Sequence, residues 1–196
     1  MDLHDLQDLM SILKRSGVPK SYRLLTSKPV TNPVDVRTEL MRDEHNCNLA
    51  AVIDSRLAGD RHVGWLLVSG EVGRGKTSWT TAAFNDYCNR RVRRFREGGP
   101  GENRPPIWIT EAGLFINADR SAAGGYSGRA AYIDKVASAP LLLLDDLGGS
   151  RRKPTESQLS MIRFIIQERH AHGRPTFMNT NIVSWEDLER MYGDHI

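Results

Sequence analysis

Residues 70 to 77, Gly70-Glu-Val-Gly-Arg-Gly-Lys-Thr77, fit the phosphate-loop pattern G-x-x-x-x-G-K-[ST] at every fixed position. The apolar run Trp65-Leu-Leu-Val-Ser69 precedes them and a helix-compatible segment follows, the strand–loop–helix setting that the motif requires. Glycines let successive backbone N–H groups turn inward around phosphate oxygens, and the helix behind them adds its positive N-terminal end. On this reading Gly70, Glu71, Val72, Gly73, Arg74, Gly75, Lys76, Thr77 and Ser78 are candidate nucleotide-binding residues. Lys76 brings a point charge to the β- and γ-phosphates, and Thr77 brings a hydroxyl to Mg²⁺. A plain glycine turn capped by a surface lysine is the competing reading, and the preceding strand argues against it. ATP and Mg²⁺ are the expected cofactors.

Strands and helices alternate outward from this loop. Leu3, Leu6, Leu9/Met10 and Leu13 recur at helical spacing, so residues 2–15 read as an amphipathic helix that stops at Ser16-Gly-Val-Pro19. Residues 20–32 read as an extended connection, and 33–58 as a second helical region with Pro33 in its first turn. A strand over 64–69 leads into the phosphate-loop helix, from about 75 to the low nineties. The segment 97–106 is a surface loop. Strand 107–110 and a short helix 111–117 follow, then a glycine-rich loop over 121–128 and a helix over 128–138. A strand over 141–145 comes next. Thr155-Glu-Ser-Gln158 is a capping-box signature for a helix to about 171. Strand 176–180 precedes a last helix capped by Ser184 and ending near Gly193. Alternation of this kind implies one three-layer α/β domain around a parallel sheet.

The 196 residues suit one domain with a sizeable core. A net charge of +3 permits a nucleic-acid partner without requiring one. Cys47 and Cys88 have no paired spacing, so neither a disulfide framework nor a zinc site is indicated. No apolar run reaches membrane-spanning length and the acidic start lacks a signal-peptide pattern, so a cytoplasmic location without membrane partners is expected.

Two further elements carry chemistry. Leu141-Leu-Leu-Leu144 followed by Asp145-Asp146 reads as a buried strand that delivers acids at its carboxyl end, where ligands of open α/β sheets sit. Asp145 is the candidate metal residue and Asp146 the candidate base or water-positioner. Asn179-Thr-Asn181 ends the fourth strand. An amide there can reach the γ-phosphate or the attacking water. Asn181, at the strand terminus, is favoured over the deeper Asn179, although asparagine after a strand is also a common turn residue. The candidate catalytic set is Lys76, Asp146 and Asn181.

Gly70 to Thr77, Asp145-Asp-Leu-Gly148 and Arg174-Pro-Thr-Phe-Met-Asn-Thr-Asn181 together resemble AAA+ ATPases of the DnaC/IstB-like helicase-loader family. Gly17-Val-Pro-Lys-Ser-Tyr-Arg23 is similar to that family's Gly-Ile-Pro segment, and Gln167-Glu-Arg-His170 to the stretch before its sensor strand. The resemblance runs from about residue 17 to 196. It implies an αβα P-loop NTPase of the AAA+ type with a mostly parallel sheet, the ATPase core over 33–196 and a short N-terminal segment over 1–32. Lys76 and Thr77 then correspond to Walker A, Asp145 and Asp146 to Walker B, and Asn181 to sensor 1. Val18 and Tyr22, with Pro19, are implied adenine neighbours. The family continues past Tyr192-Gly-Asp-His-Ile196 through an arginine-rich stretch and a strand flanking the first. By that measure the core is C-terminally incomplete, with the last strand and lid missing, and His195 stands where arginine is frequent.

The implied function is an ATPase, slow in isolation, that self-associates, binds single-stranded DNA and assists loading of a replicative helicase. Arg120, Tyr126 and Arg129, in and beside the glycine-rich loop, are the candidate DNA contacts. Arg91 and Arg94 in the basic run Arg90–Arg96 are further candidates, set against a solvated helix end. Rival readings are a transposase helper of the IstB type that coats duplex DNA, a non-catalytic nucleotide-gated adaptor, and a small-kinase-type phosphotransferase.

Overall fold

The computed structural model describes residues 3–23, 64–96, 104–149 and 153–193, with side chains for all of these except 3–6, 90 and 93–96. The helical region expected over 33–58 lies outside the described residues, as does most of the 97–106 loop.

Four strands, β1 (Trp65–Ser69), β2 (Ile107–Thr110), β3 (Leu142–Leu147) and β4 (Thr176–Thr180), form one sheet in the order β1-β4-β3-β2. Every neighbouring pair is parallel. The six helices described are α1 (Leu3–Arg15), α2 (Lys76–Arg96), α3 (Glu111–Ser121), α4 (Tyr126–Ala137), α5 (Glu156–Ala171) and α6 (Trp185–Tyr192). The crossover through α2 carries the chain from one edge of the described sheet to the other. β3 and β4 then fill the space between, so the loops after β1, β3 and β4 leave the sheet side by side at its carboxyl end.

Four consecutive leucines make sense once both faces of the sheet are covered. Leu141 and Leu143 face a cluster with Phe177, Trp79, Phe84 and, from α1, Leu9 and Leu13. Leu142 and Leu144 face the other cluster, with Met178 and buried side chains of α3, α4, α5 and α6. Period-2 alternation within a continuous apolar run therefore builds two cores, one on each face. The N-terminal segment belongs to the first of them. Val18 is fully buried there, and the Trp108 backbone N–H donates to the Ser16 carbonyl at 2.7 Å, so residues 16–18 lie along the outer edge of β2.

Element ends follow their capping chemistry. Thr155 and Gln158 form the reciprocal capping box at α5, and Ser184 accepts from the Asp187 N–H at 3.1 Å to start α6. Thr110 caps α3 by accepting from the Gly113 N–H at 3.0 Å. The structure departs from the expected boundaries at several places: residues 20–22, expected as extended chain, form a 3-10 turn, Lys20–Tyr22, and α2 runs past the low nineties to Arg96. The helix after β2 runs four residues further than expected, to Ser121, and the expected glycine-rich loop shrinks to a 3-10 turn, Ala122–Gly124, plus Gly125. Tyr126 is therefore the first residue of a helix. β3 also continues past Asp145 to Leu147.

At the amino ends of β3 and β4, Arg169 is wholly buried near the end of α5 without a carboxylate partner among the described residues. Its guanidinium donates to the carbonyls of Val136, Ala137, Ala139 and Pro175 and to the Thr176 hydroxyl. The carbonyls of Val136 and Ala137 are at the end of α4, where a cation suits the helix dipole. Arg169→Met, which keeps an apolar stem and removes every donor, is expected to lower stability by about 2–4 kcal/mol in urea denaturation. Arg169→Lys should lose nearly as much, because an ammonium cannot reproduce the planar fork. A loss of under about 0.5 kcal/mol in both, the level of an ordinary surface change, would contradict this assignment.

Candidate functional site

The loop between β1 and α2 has left-handed or related backbone at Gly70 (φ 152°), Gly73 (φ 84°) and Gly75 (φ 75°). Lys76, the first residue of α2, is buried, and its ammonium donates to the carbonyls of Gly70 and Glu71, both at 2.7 Å. The lysine thus spans its own loop from beneath. Burial pulls its pKa below the ordinary lysine value, while the charges of Asp146 and Asp145 oppose that shift. Val72 projects into solvent at the loop's tip, and Glu71 and Arg74 pair across its exposed side at 3.1 Å. Ser78, one turn into α2, is half-buried.

Asp145 is buried beside this loop, and its carboxylate accepts from the side chains of Asn179 and Thr77. Burial pushes its pKa up, and those two hydrogen bonds hold it back. A threonine hydroxyl and a buried carboxylate in direct contact are two hard oxygen donors, the set that Mg²⁺ takes. These residues fit the ion that the sequence motif implies.

The second acid is delivered by an irregularity. Along β3, Leu144 pairs with Met178 and Leu147 with Thr180, so three steps on one strand match two on the other. The extra residue is a β-bulge, and within it Asp146 has φ 56°, a left-handed conformation uncommon outside glycine, aspartate and asparagine being among its more frequent exceptions. Asn179 fills the gap opposite. Its amide oxygen accepts from the Asp146 N–H at 2.8 Å, and its amide nitrogen donates to the Asp145 carboxylate and to the Thr80 hydroxyl, the latter at 2.9 Å. Asn181 is half-buried beyond the strand end, and its amide nitrogen donates to the Asp146 carboxylate at 2.9 Å. Asn181 also lines an open groove of about 840 Å³ with Val72, Gly148, Gly149, Val183 and Asp187.

Lys76, Thr77, Asp145, Asp146 and Asn181 are therefore brought together from the start of α2, the end of β3 and the residue that follows β4. The other candidates are elsewhere. Val18, read as an adenine neighbour, is fully enclosed in the core cluster on the α1/α2 face, so its side chain has no open side to offer a base. Tyr22 packs half-buried against the same cluster, and its carbonyl accepts from Asn85 at 2.7 Å. Tyr126 is 90% exposed at the start of α4, with Arg120 exposed at the end of α3. Arg129 reaches Ser157 at 3.0 Å and Asp119 at 4.0 Å. Arg91 donates to the Arg104 carbonyl at 2.8 Å, which ties α2 to the segment before β2. The Arg94 side chain lies outside the described residues.

Sequence reasoning passed over two residues that shape the site. Asn179 was read only as the deeper asparagine; its signal is a polar amide inside an apolar strand. Glu111 follows the edge strand and reads as an ordinary acidic helix start, yet it is buried and hydrogen-bonded to Gly148 and Tyr192. Burial pushes both the Glu111 carboxyl and the Tyr192 phenol up.

The two asparagines should separate on substitution. Asn179→Ala removes an acceptor for the Asp146 N–H and a donor to Asp145, and should cost about 2–4 kcal/mol of folding stability by chemical denaturation. Asn181→Ala, outside the core, should cost less than about 0.5 kcal/mol. Equal losses would contradict the division of roles.

No protein-family model matches the sequence, and no curated protein matches it. Solved structures do. That of the DnaC helicase loader is similar with a TM-score of 0.65 and 18% identity, over 90% of this chain and 91% of that one. DnaI is similar with a TM-score of 0.62 and 19% identity, over 89% and 80%. The replication initiator DnaA bound to AMPPCP and single-stranded DNA gives a TM-score of 0.57 and 17% identity, over 84% of this chain and 50% of DnaA. At these identities the likeness is one of fold. It bears out the three-layer P-loop architecture read from the sequence: the chain has a DnaC-like AAA+ fold.

Proposed function

We propose that this chain is a replication-associated AAA+ ATPase that binds ATP·Mg²⁺ and single-stranded DNA, self-associates, and assists the loading of a replicative helicase. The observation that carries the nucleotide half of this reading is the convergence of Lys76, seated on the carbonyls of its own loop, with the buried Asp145 carboxylate that Asn179 holds beside Thr77. Thr77 and Asp145 would hold Mg²⁺. The bound ion would draw charge from the phosphate oxygens. The protein's own part is positioning. Loop N–H groups and the α2 N-terminus cradle the phosphates, and Lys76 exchanges the carbonyls of Gly70 and Glu71 for phosphate oxygens. Asp146, steered by Asn181, holds the attacking water.

The DNA half rests on Tyr126, which stands free at a helix start with Arg120 nearby in sequence on an exposed helix end. An exposed aromatic beside arginines suits stacking on an unpaired base with backbone attraction. The known DnaC, DnaI and DnaA structures of the same fold favour a role in replication over the rivals.

Lys76→Ala should weaken ATP by about 100-fold in a fluorescent-nucleotide titration, since it removes a charge-assisted donor from a buried cradle. Unchanged affinity would count heavily against the scheme. Tyr126→Ala should weaken a single-stranded oligonucleotide by roughly 10-fold while leaving ATP binding intact. Preference for duplex over single strands in the same titration would favour the duplex-coating alternative.

A further inference from the structure

A carboxylate in the first turn of a helix is ordinarily solvated and favoured by the helix dipole. Glu111, which opens α3, instead turns inward and is 2% exposed. Its Oε2 accepts from the Gly148 N–H at 3.0 Å, and its Oε1 accepts from the Tyr192 hydroxyl at 2.6 Å. Neither bond involves the Asp146 side chain. Both act on the frame around it.

That frame is tight. The turn after Asp146 is closed by the Gly149 N–H donating to the Asp146 carbonyl at 3.0 Å. A Cβ at Gly149 would lie 2.0 Å from Asp146 Oδ2, so the carboxylate rests directly against the Gly149 backbone. A Cβ at Gly148, where φ is 75°, would lie 2.6 Å from Ile182 Cδ1. A shift of residues 148 and 149 therefore moves the surface against which the Asp146 carboxylate rests. Asp146 itself is left-handed, a conformation that residues other than glycine adopt infrequently and that persists here because its surroundings fix it. Asn179 fixes the near end by accepting from the Asp146 N–H, and the far end is fixed by Glu111.

We propose that Glu111 is a positioning residue: through the Gly148 N–H it holds Asp146 in its left-handed setting, and through Tyr192 it ties that setting to the end of α6. Arg163 reinforces the second connection by donating to the Tyr192 carbonyl at 3.0 Å. A displacement at the end of α6 is thereby transmitted to the acid that faces Asn181. The kinetic consequence rests on the ATPase reading above; the mechanical one does not.

The test compares Glu111→Leu, Glu111→Gln and Tyr192→Phe in the full chain, by NMR hydrogen exchange of the Gly148 amide, ATP turnover and fluorescent-nucleotide affinity. Leucine keeps the volume and loses the acceptor. Gly148 exchange should rise about 10-fold and kcat fall about 10-fold, with nucleotide affinity unchanged. Glutamine, which can still accept from Gly148 while Tyr192 reverses its hydroxyl, should stay within about 3-fold of the native protein. Tyr192→Phe should accelerate exchange by about 3-fold, and it carries the test if the leucine variant does not fold. Unchanged Gly148 exchange in Glu111→Leu or, failing that, in Tyr192→Phe overturns the proposal. So does a loss of affinity at unchanged kcat, or a glutamine variant as impaired as leucine. If the native chain shows no turnover with DNA present, it is the ATPase reading that fails, and the exchange results still decide the role of Glu111.

Discussion

One side-chain amide decides the geometry of the site. Asn179, inside the sheet, accepts from the Asp146 backbone and donates to Asp145 and Thr80. A bulge in a central parallel strand leaves a backbone N–H without a ladder partner, and burying it unpaired would cost about 1–3 kcal/mol. The asparagine supplies that partner. The same amide supplies a donor to a carboxylate whose burial would otherwise favour its neutral form. Because one group performs both tasks, the two acids are set at a fixed angle to each other. Asp145 turns back toward Thr77 and Asp146 forward to Asn181.

The sheet is held at its opposite end by a comparable device. Arg169 collects carbonyls from the end of α4, the chain before β3 and the chain before β4. Each end of the β3–β4 pair thus has buried polar side chains that satisfy backbone groups which regular pairing leaves over. Between them lie only leucines, Phe177 and Met178, which pack against helices on both faces. Hydrophobic burial gives the three layers their cohesion, and it is indifferent to small slips along the strands. The polar anchors help to specify register, and register is what sets Asp145 beside the loop between β1 and α2.

How much of this was legible in the sequence depends on the range of the interaction concerned. The strand–loop–helix around Gly70 to Thr77, the capping box at Thr155 and the cap at Ser184 are local patterns, and the elements they mark lie where the spacing places them. The leucine run ending in two acids marked β3 because continuous apolarity is the signature of a strand covered on both sides. What escaped was non-local. Nothing in Asp145-Asp146-Leu147 announces a bulge, because the bulge is defined by the partner strand. Glu111 satisfies every local rule for an exposed helix start; only the approach of Gly148 and Tyr192 from far along the chain draws it inward. The glycine pair at 124–125 suggested a loop, but a helix start tolerates Gly125 just as well, and Tyr126 joined α4. Val18 likewise resembled part of a base-binding segment by sequence, whereas the packing of α1 on α2 makes it core.

The paired acids illustrate why the site, more than the fold, must carry the functional argument. Folds of this kind are shared widely, and an identity of 18% to the DnaC loader transmits an architecture without fixing any side chain's task. The residue after Asp145 is another aspartate, not the longer glutamate. An aspartate is one methylene shorter, so its reach must come from the main chain. The bulge and the left-handed backbone at residue 146 move the main chain itself, and the two glycines that follow let it pass close to Ile182 and to the carboxylate. The sequence Asp-Asp-Leu-Gly-Gly is therefore a single mechanical unit, in which the short acid, the strained backbone and the small residues depend on one another.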